Sequence, residues 1–228
     1  MSEMKQQTAG NVGRREALAA LGAAGLGVLS ATPAAAKPPP GSLKGKRVLV
    51  AIGEFSEGME TYYMVYRLKE QGALPVVAAT KAKRVQMVVH DFEPQYTNYT
   101  EKLGYQIDVQ TPYAEVDPRQ FHGMLIPGGR GPEEIRQDKR VLEIVGYFMD
   151  KRLPLGAMCH GPQVVYAARP VRGRRMTGYY GIRADIELAG AIFVDEPVVV
   201  DGALVTSRGW PDLPDFMPKF LEVLAASL

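Results

Sequence analysis

The residues best suited to chemistry gather at three junctions, and the most distinctive is Gly156-Ala157-Met158-Cys159-His160-Gly161-Pro162-Gln163, which holds the chain's single cysteine. An apolar run ends at Cys159, and Gly161 lets the chain turn sharply into a segment of helical spacing. This is the order of a nucleophile elbow, in which a strand delivers a reactive side chain to a tight turn. It predicts an exposed sulfur whose thiolate is stabilised by the following helix N-terminus, hence a lowered pKa. His160, the adjacent residue, is a candidate base. The rival reading, a small buried hydrophobe, is outweighed by the turn and its polar flanks. The second junction, Gly53-Glu54-Phe55-Ser56-Glu57-Gly58-Met59-Glu60, places Glu57 and Glu60 where a helix starts and its dipole favours carboxylates. The third is Pro127-Gly128-Gly129-Arg130-Gly131-Pro132-Glu133-Glu134, where glycines permit close backbone approach and Pro132 with Glu133 opens a helix.

Such junctions need strands to deliver them. From Lys46 onward, short apolar runs alternate with segments of helical period, which predicts a parallel sheet with helices on its faces. Arg47–Ile52 reads as the first strand, Met59–Gln71 as a helix stopped by Gly72, and Leu74–Ala79 as the second strand. Gly123–Ile126 and Leu153–Met158 read as strands around one helix, Glu133–Met149. Beyond the elbow come a helix near Gln163–Ala168, a strand near Arg175–Met176, a helix near Ile182–Leu188, two strands flanking Asp201-Gly202, and a final helix from Leu213. Val85–Val89 and Tyr105–Val109 are strand-like pieces around a polar, Tyr-rich loop. Ligands of parallel sheets gather at the carboxyl ends of the strands, where all three junctions lie.

Composition limits the alternatives. The 228 residues, 46% of them hydrophobic, fit one medium domain. A net charge of +2, spread along the chain, gives no basic face for nucleic acid. One cysteine and three histidines, His90, His122 and His160, allow neither an internal disulfide nor a structural zinc cluster. No Gly-x-Gly-x-x-Gly follows the first strand, so no cofactor is implied. His90 and His122 read as loop or surface residues.

Before the domain, Arg14-Arg15 precede an apolar stretch, Ala17 to Val28, and small residues ending at Ala36. This pattern resembles a twin-arginine export signal over residues 1–36, implying a periplasmic or exported destination and no stable membrane anchor after cleavage. Residues 37–45, with three consecutive prolines, read as a linker, leaving 46–228 as the α/β domain.

Taken together, the Cys-His-Gly-Pro string, the Pro-Gly-Gly-Arg string, the segment Glu57–Gly72 and the tail from Val198 to Phe216 resemble the ThiJ/PfpI superfamily, and within it the PfpI-like branch. The resemblance covers about residues 46–224. It implies a flavodoxin-like α/β sandwich of the class I glutamine amidotransferase-like type, and a homo-oligomer. It carries over Cys159 as nucleophile, His160 as base, Glu60 as the carboxylate touching the sulfur with Glu57 as the lesser substitute, and Glu133 as an acid reaching across an interface to a neighbour's histidine. Arg130 would pair with a carboxylate at that interface or anchor substrate. Gly129 and the His160 backbone N–H would be oxyanion donors.

The leading expectation is a cysteine-dependent enzyme in which Cys159 attacks a carbonyl of a peptide or a small carbonyl compound, as a peptidase or as a glutathione-independent glyoxalase or deglycase. The alternative is a non-catalytic redox sensor or stress holdase, with Cys159 oxidised to a sulfinic acid held by Glu60. The export signal and the Tyr-rich loop from His90 to Gly104 depart from the superfamily's usual pattern.

Overall fold

The computed structural model describes residues 43–228; the signal-like segment and most of the Pro-rich linker lie outside the described residues. Its sheet has seven strands in the order β10-β11-β7-β6-β1-β2-β5. The ranges are β1 (Arg47–Ala51), β2 (Leu74–Ala79), β5 (Thr111–Pro112), β6 (Gly123–Ile126), β7 (Leu155–Met158), β10 (Val198–Asp201) and β11 (Leu204–Ser207). All pairings are parallel except the β10–β11 hairpin, which turns at the predicted Asp201-Gly202.

Every residue of β6 and β7 is buried, as expected for strands covered on both faces. The alternating side chains of β1 feed two cores. Val48, Val50 and Ile52 meet α1 (Gly58–Glu70) and α6 (Leu213–Ala226), while Leu49 and Ala51 face α2 (Gly131–Ile135), α3 (Lys139–Asp150), α4 (Pro162–Ala168) and α5 (Arg183–Leu188). The α/β sandwich is thus the predicted three-layer one.

One helix expectation needs correction. The helix expected over 133–149 is two helices, because Asp138 takes an extended backbone and its carboxylate caps the Arg140 N–H at 2.8 Å, starting α3 afresh. The strand-like pieces expected at Val85–Val89 and Tyr105–Val109 lie inside a long antiparallel hairpin, β3 (Lys83–Asp91) with β4 (Thr100–Val109), joined by the Tyr-bearing loop 92–99. A small parallel pair, β8 (Arg175–Met176) with β9 (Ile192–Phe193), went unpredicted in its second strand. At the end of the expected linker, Leu43 is fully buried and Gly45 donates to the Gly72 carbonyl, so residues 43–45 belong to the packed domain.

Candidate active site

The three junctions converge at the carboxyl ends of β1, β6 and β7. Cys159 follows β7 directly and takes a left-handed backbone, φ 55°, uncommon for a residue with a Cβ. Its N–H donates to the Ser207 carbonyl and its own carbonyl accepts from Tyr179, each at 3.0 Å, so the strained turn is held from both sides. Gly161 serves by closeness, because a Cβ there would lie 2.5 Å from the Ile126 carbonyl oxygen.

Glycines also explain how the loops after β1 and β6 approach. A Cβ on Gly128 would stand 2.3 Å from that of Cys159, and one on Gly129 would stand 2.4 Å from the Glu57 nitrogen. Without side chains there, Glu57 donates to the Gly128 carbonyl and Arg130 to that of Phe55.

Cys159 is only 4% exposed, which corrects the expected open thiol. Burial, with the Glu60 charge next in size, holds its pKa well above the ordinary value, against the lowered pKa anticipated from the helix N-terminus. The backbone N–H groups of Gly129 and His160 oppose this by hydrogen-bonding the sulfur. These are the two donors assigned from sequence to an oxyanion, and here they point at the nucleophile.

Glu60, on the first turn of α1, is fully buried and hydrogen-bonds the thiol; the Gly128 N–H donates to it at 2.5 Å, and the Trp210 N–H does so too. Burial first, then the Glu57 charge, raise its pKa well above the usual carboxylate range, favouring the protonated acid. Glu57 is the N-cap of α1, accepting from the Glu60 N–H at 2.6 Å and from the His90 and Met59 N–H groups; burial pushes it up to about 7. It supports Glu60 from beneath.

His160 is 6% exposed, and its Nδ1 lies 3.1 Å from the Gly129 carbonyl oxygen. Burial lowers its pKa, so the neutral ring is favoured. A carbonyl only accepts, so the proton sits on Nδ1 and Nε2 keeps a free lone pair. Glu133 is exposed and makes no side-chain hydrogen bond or ion pair among the described residues, though its charge is near enough to favour a protonated His160. Arg130 pairs within the chain, giving Glu101 two hydrogen bonds of 2.7 and 3.0 Å while lying over the Phe55 ring.

Sequence reasoning missed the site's roof. His90, expected at a surface, is buried in β3, with Nε2 2.9 Å from Glu101 and its ring stacked 4.0 Å from that of Tyr99. Tyr99 packs edge-on against His160 and Tyr179, with centroids 6.1 and 5.2 Å away. Burial raises the Tyr99 hydroxyl to about 12, so it stays neutral near the thiol. The loop's tyrosines were the only signal for this roof. His122 is half-buried at the start of β6, away from the cysteine.

Among known proteins, the family model described as DJ-1/PfpI family matches residues 46–223. A deglycase of Pyrococcus abyssi is 36% identical over 178 residues, covering 78% of this chain and 99% of its own length. The deglycase PfpI of Pyrococcus furiosus is 35% identical over 179 residues, again 78% of this chain and 99% of the relative. In fold, the chain resembles the ThiJ/PfpI domain protein of Brachyspira murdochii, with a TM-score of 0.70 at 20% identity over 80% of this chain and 98% of that one.

Proposed function

The chain belongs to the DJ-1/PfpI family, and on that premise we propose that it is an enzyme acting on carbonyl groups through Cys159, of the deglycase or glutathione-independent glyoxalase kind. The observation that carries the reading is the elbow itself: a strained Cys159 whose sulfur faces two backbone N–H donors, a protonated Glu60 and a neutral His160. Relatives named deglycases support the carbonyl chemistry over peptide hydrolysis.

The resting pair is a neutral thiol beside a neutral acid. As the sulfur adds to an aldehyde carbon, the S–C bond forms and the carbonyl π pair moves to oxygen. The thiol proton leaves to a base, a role we assign to the free Nε2 lone pair of His160, and the new oxygen is protonated to a hemithioacetal. With a 2-oxoaldehyde, a proton then leaves the carbon bearing sulfur and is returned to the neighbouring carbon. The resulting thioester is hydrolysed by water, giving a 2-hydroxy acid and the free thiol. Glu60 holds the sulfur and exchanges its proton.

Two further proposals accompany this reading. Exposed Met59, Tyr66 and Tyr105, together with an exposed Glu133, fit a homo-oligomer in which Glu133 meets a neighbour's His160. The twin-arginine-like segment fits export, which N-terminal sequencing of periplasmic protein would test. Relatives named deglycases favour turnover over a redox-sensor role.

The deciding experiment is lactate formation from methylglyoxal without glutathione, with wild type against Cys159→Ser. Turnover by wild type alone supports the reading; equal turnover by both removes Cys159 from the chemistry.

A further inference from the structure

The buried sulfur poses a problem of access. With Cys159 and His160 4% and 6% exposed, anything bulkier than a small molecule must displace part of the roof. The Tyr179 main chain is tied to the elbow, its N–H bonded to the Cys159 carbonyl. Tyr99, by contrast, belongs to the loop 92–99, which has no helix or strand of its own. That loop is clipped to the body at few points: the Tyr179 hydroxyl meets the Asn98 amide oxygen, the Tyr180 hydroxyl donates to the Thr97 carbonyl at 2.7 Å, and the Phe92 ring packs against those of Tyr179 and Trp210, with centroids 6.4 and 5.8 Å away. Clefts of about 250 and 240 Å³ border the loop at Phe92, and the first also runs along Thr97 and Asn98, so the loop tip is not packed solidly against Tyr179 and Tyr180. The hairpin stem, by contrast, is fixed by the His90–Glu101–Arg130 array and by the bridge from Glu57 to Val88.

From a fixed stem and a lightly clipped tip we infer that Tyr99 is a specificity-determining gate for the cysteine site. Seated against His160 and Tyr179, it admits small carbonyl compounds past its edge; a carbonyl borne on a peptide or protein side chain reaches Cys159 only when the loop lifts. This inference rests on the proposed carbonyl chemistry for its biological sense but not for its test, which reads access alone.

Because Cys159 is the only cysteine, alkylation reports on this one sulfur. Rates with iodoacetamide and with fluorescein maleimide, followed by intact mass, are compared with the same two rates for free cysteine. In wild type the bulky reagent should be disfavoured by roughly a hundredfold relative to that reference, as for a site that opens locally. Tyr99→Ala should raise the bulky rate roughly tenfold or more while changing the small one less than about threefold, and Asn98→Ala should act in the same direction by less. Tyr99→Phe, which keeps the ring, should match wild type. A wild-type ratio equal to that of free cysteine, or a ratio unchanged in Tyr99→Ala, overturns the gate. If Tyr99→Ala does not fold, Asn98→Ala decides by the same criterion. An enzyme inert toward methylglyoxal could still show the gate, and an active one could lack it, so the two readings fail separately.

Discussion

Two residues bracket β7, Arg152 before it and Cys159 after it, and both have a left-handed backbone, with φ of 54° and 55°. At Arg152 the conformation ends α3. The Arg152 N–H donates to Met149 and the Leu153 N–H to Phe148, the paired bonds of a Schellman exit, with the side chain exposed. At Cys159 the same dihedral aims a sulfur into a compartment with two buried carboxyls and a buried imidazole. Arginine costs about 1–2 kcal/mol where glycine would serve. Cysteine at the elbow has no such substitute, because its side chain is the purpose of the turn. An unusual φ therefore points to chemistry only when buried polar groups converge on it.

The sharpest way to break this contrast is Cys159→Ser, which should lower carbonyl turnover by about 10⁴-fold with little change in melting temperature. Retained activity would make the elbow as incidental as the helix exit. Next, Glu60→Gln keeps a hydrogen-bonding group but cannot exchange a proton, and should lower kcat by roughly 10²-fold or more. A loss confined to KM would recast Glu60 as a binding group.

The carboxyls should also mark this end of the sheet in its pH response. Between about 4.5 and 7, folded Glu57 retains a proton that the unfolded chain has released, so stability falls as pH rises through that window. Glu57→Gln should flatten the slope, a difference on the order of 2 kcal/mol by urea denaturation at the two ends of the window. An unchanged slope would assign the pH response to other groups. At the helix exit the expected effect is smallest: Arg152→Gly should stabilise by about 1 kcal/mol and leave turnover unchanged. Destabilisation would show that the arginine side chain matters there.

Much of this was legible in the sequence because buried parallel strands are short apolar runs ending in glycine-rich turns. Gly123–Ile126 and Leu155–Met158 are bounded in that way, and the elbow follows from order alone. The reactivity of Cys159 was not legible. Its local surroundings promised an open, acidic thiol, yet the residues that bury it come from positions 57–60, 98–99 and 179, which no local spacing connects. Glu57 and Glu60 had a rival reading as dipole-complementing acids at a helix start, and their burial arises only where β3 covers the start of α1. His90 likewise sits in a polar stretch, and only the hairpin's register turns its ring inward. Asp138 was a visible capping residue inside an otherwise continuous helical period, and the cap prevailed over the period.

The chain's only tryptophan, Trp210, donates its indole N–H to the backbone of the hairpin and lies 5.8 Å from the Phe92 ring. It therefore forms a native optical label at the hinge between loop and body. A lifted loop would wet the indole and shift its emission to the red, so stopped-flow fluorescence can time the motion in the unmodified protein. The eleven tyrosines would contribute little to a signal excited at the red edge of indole absorption.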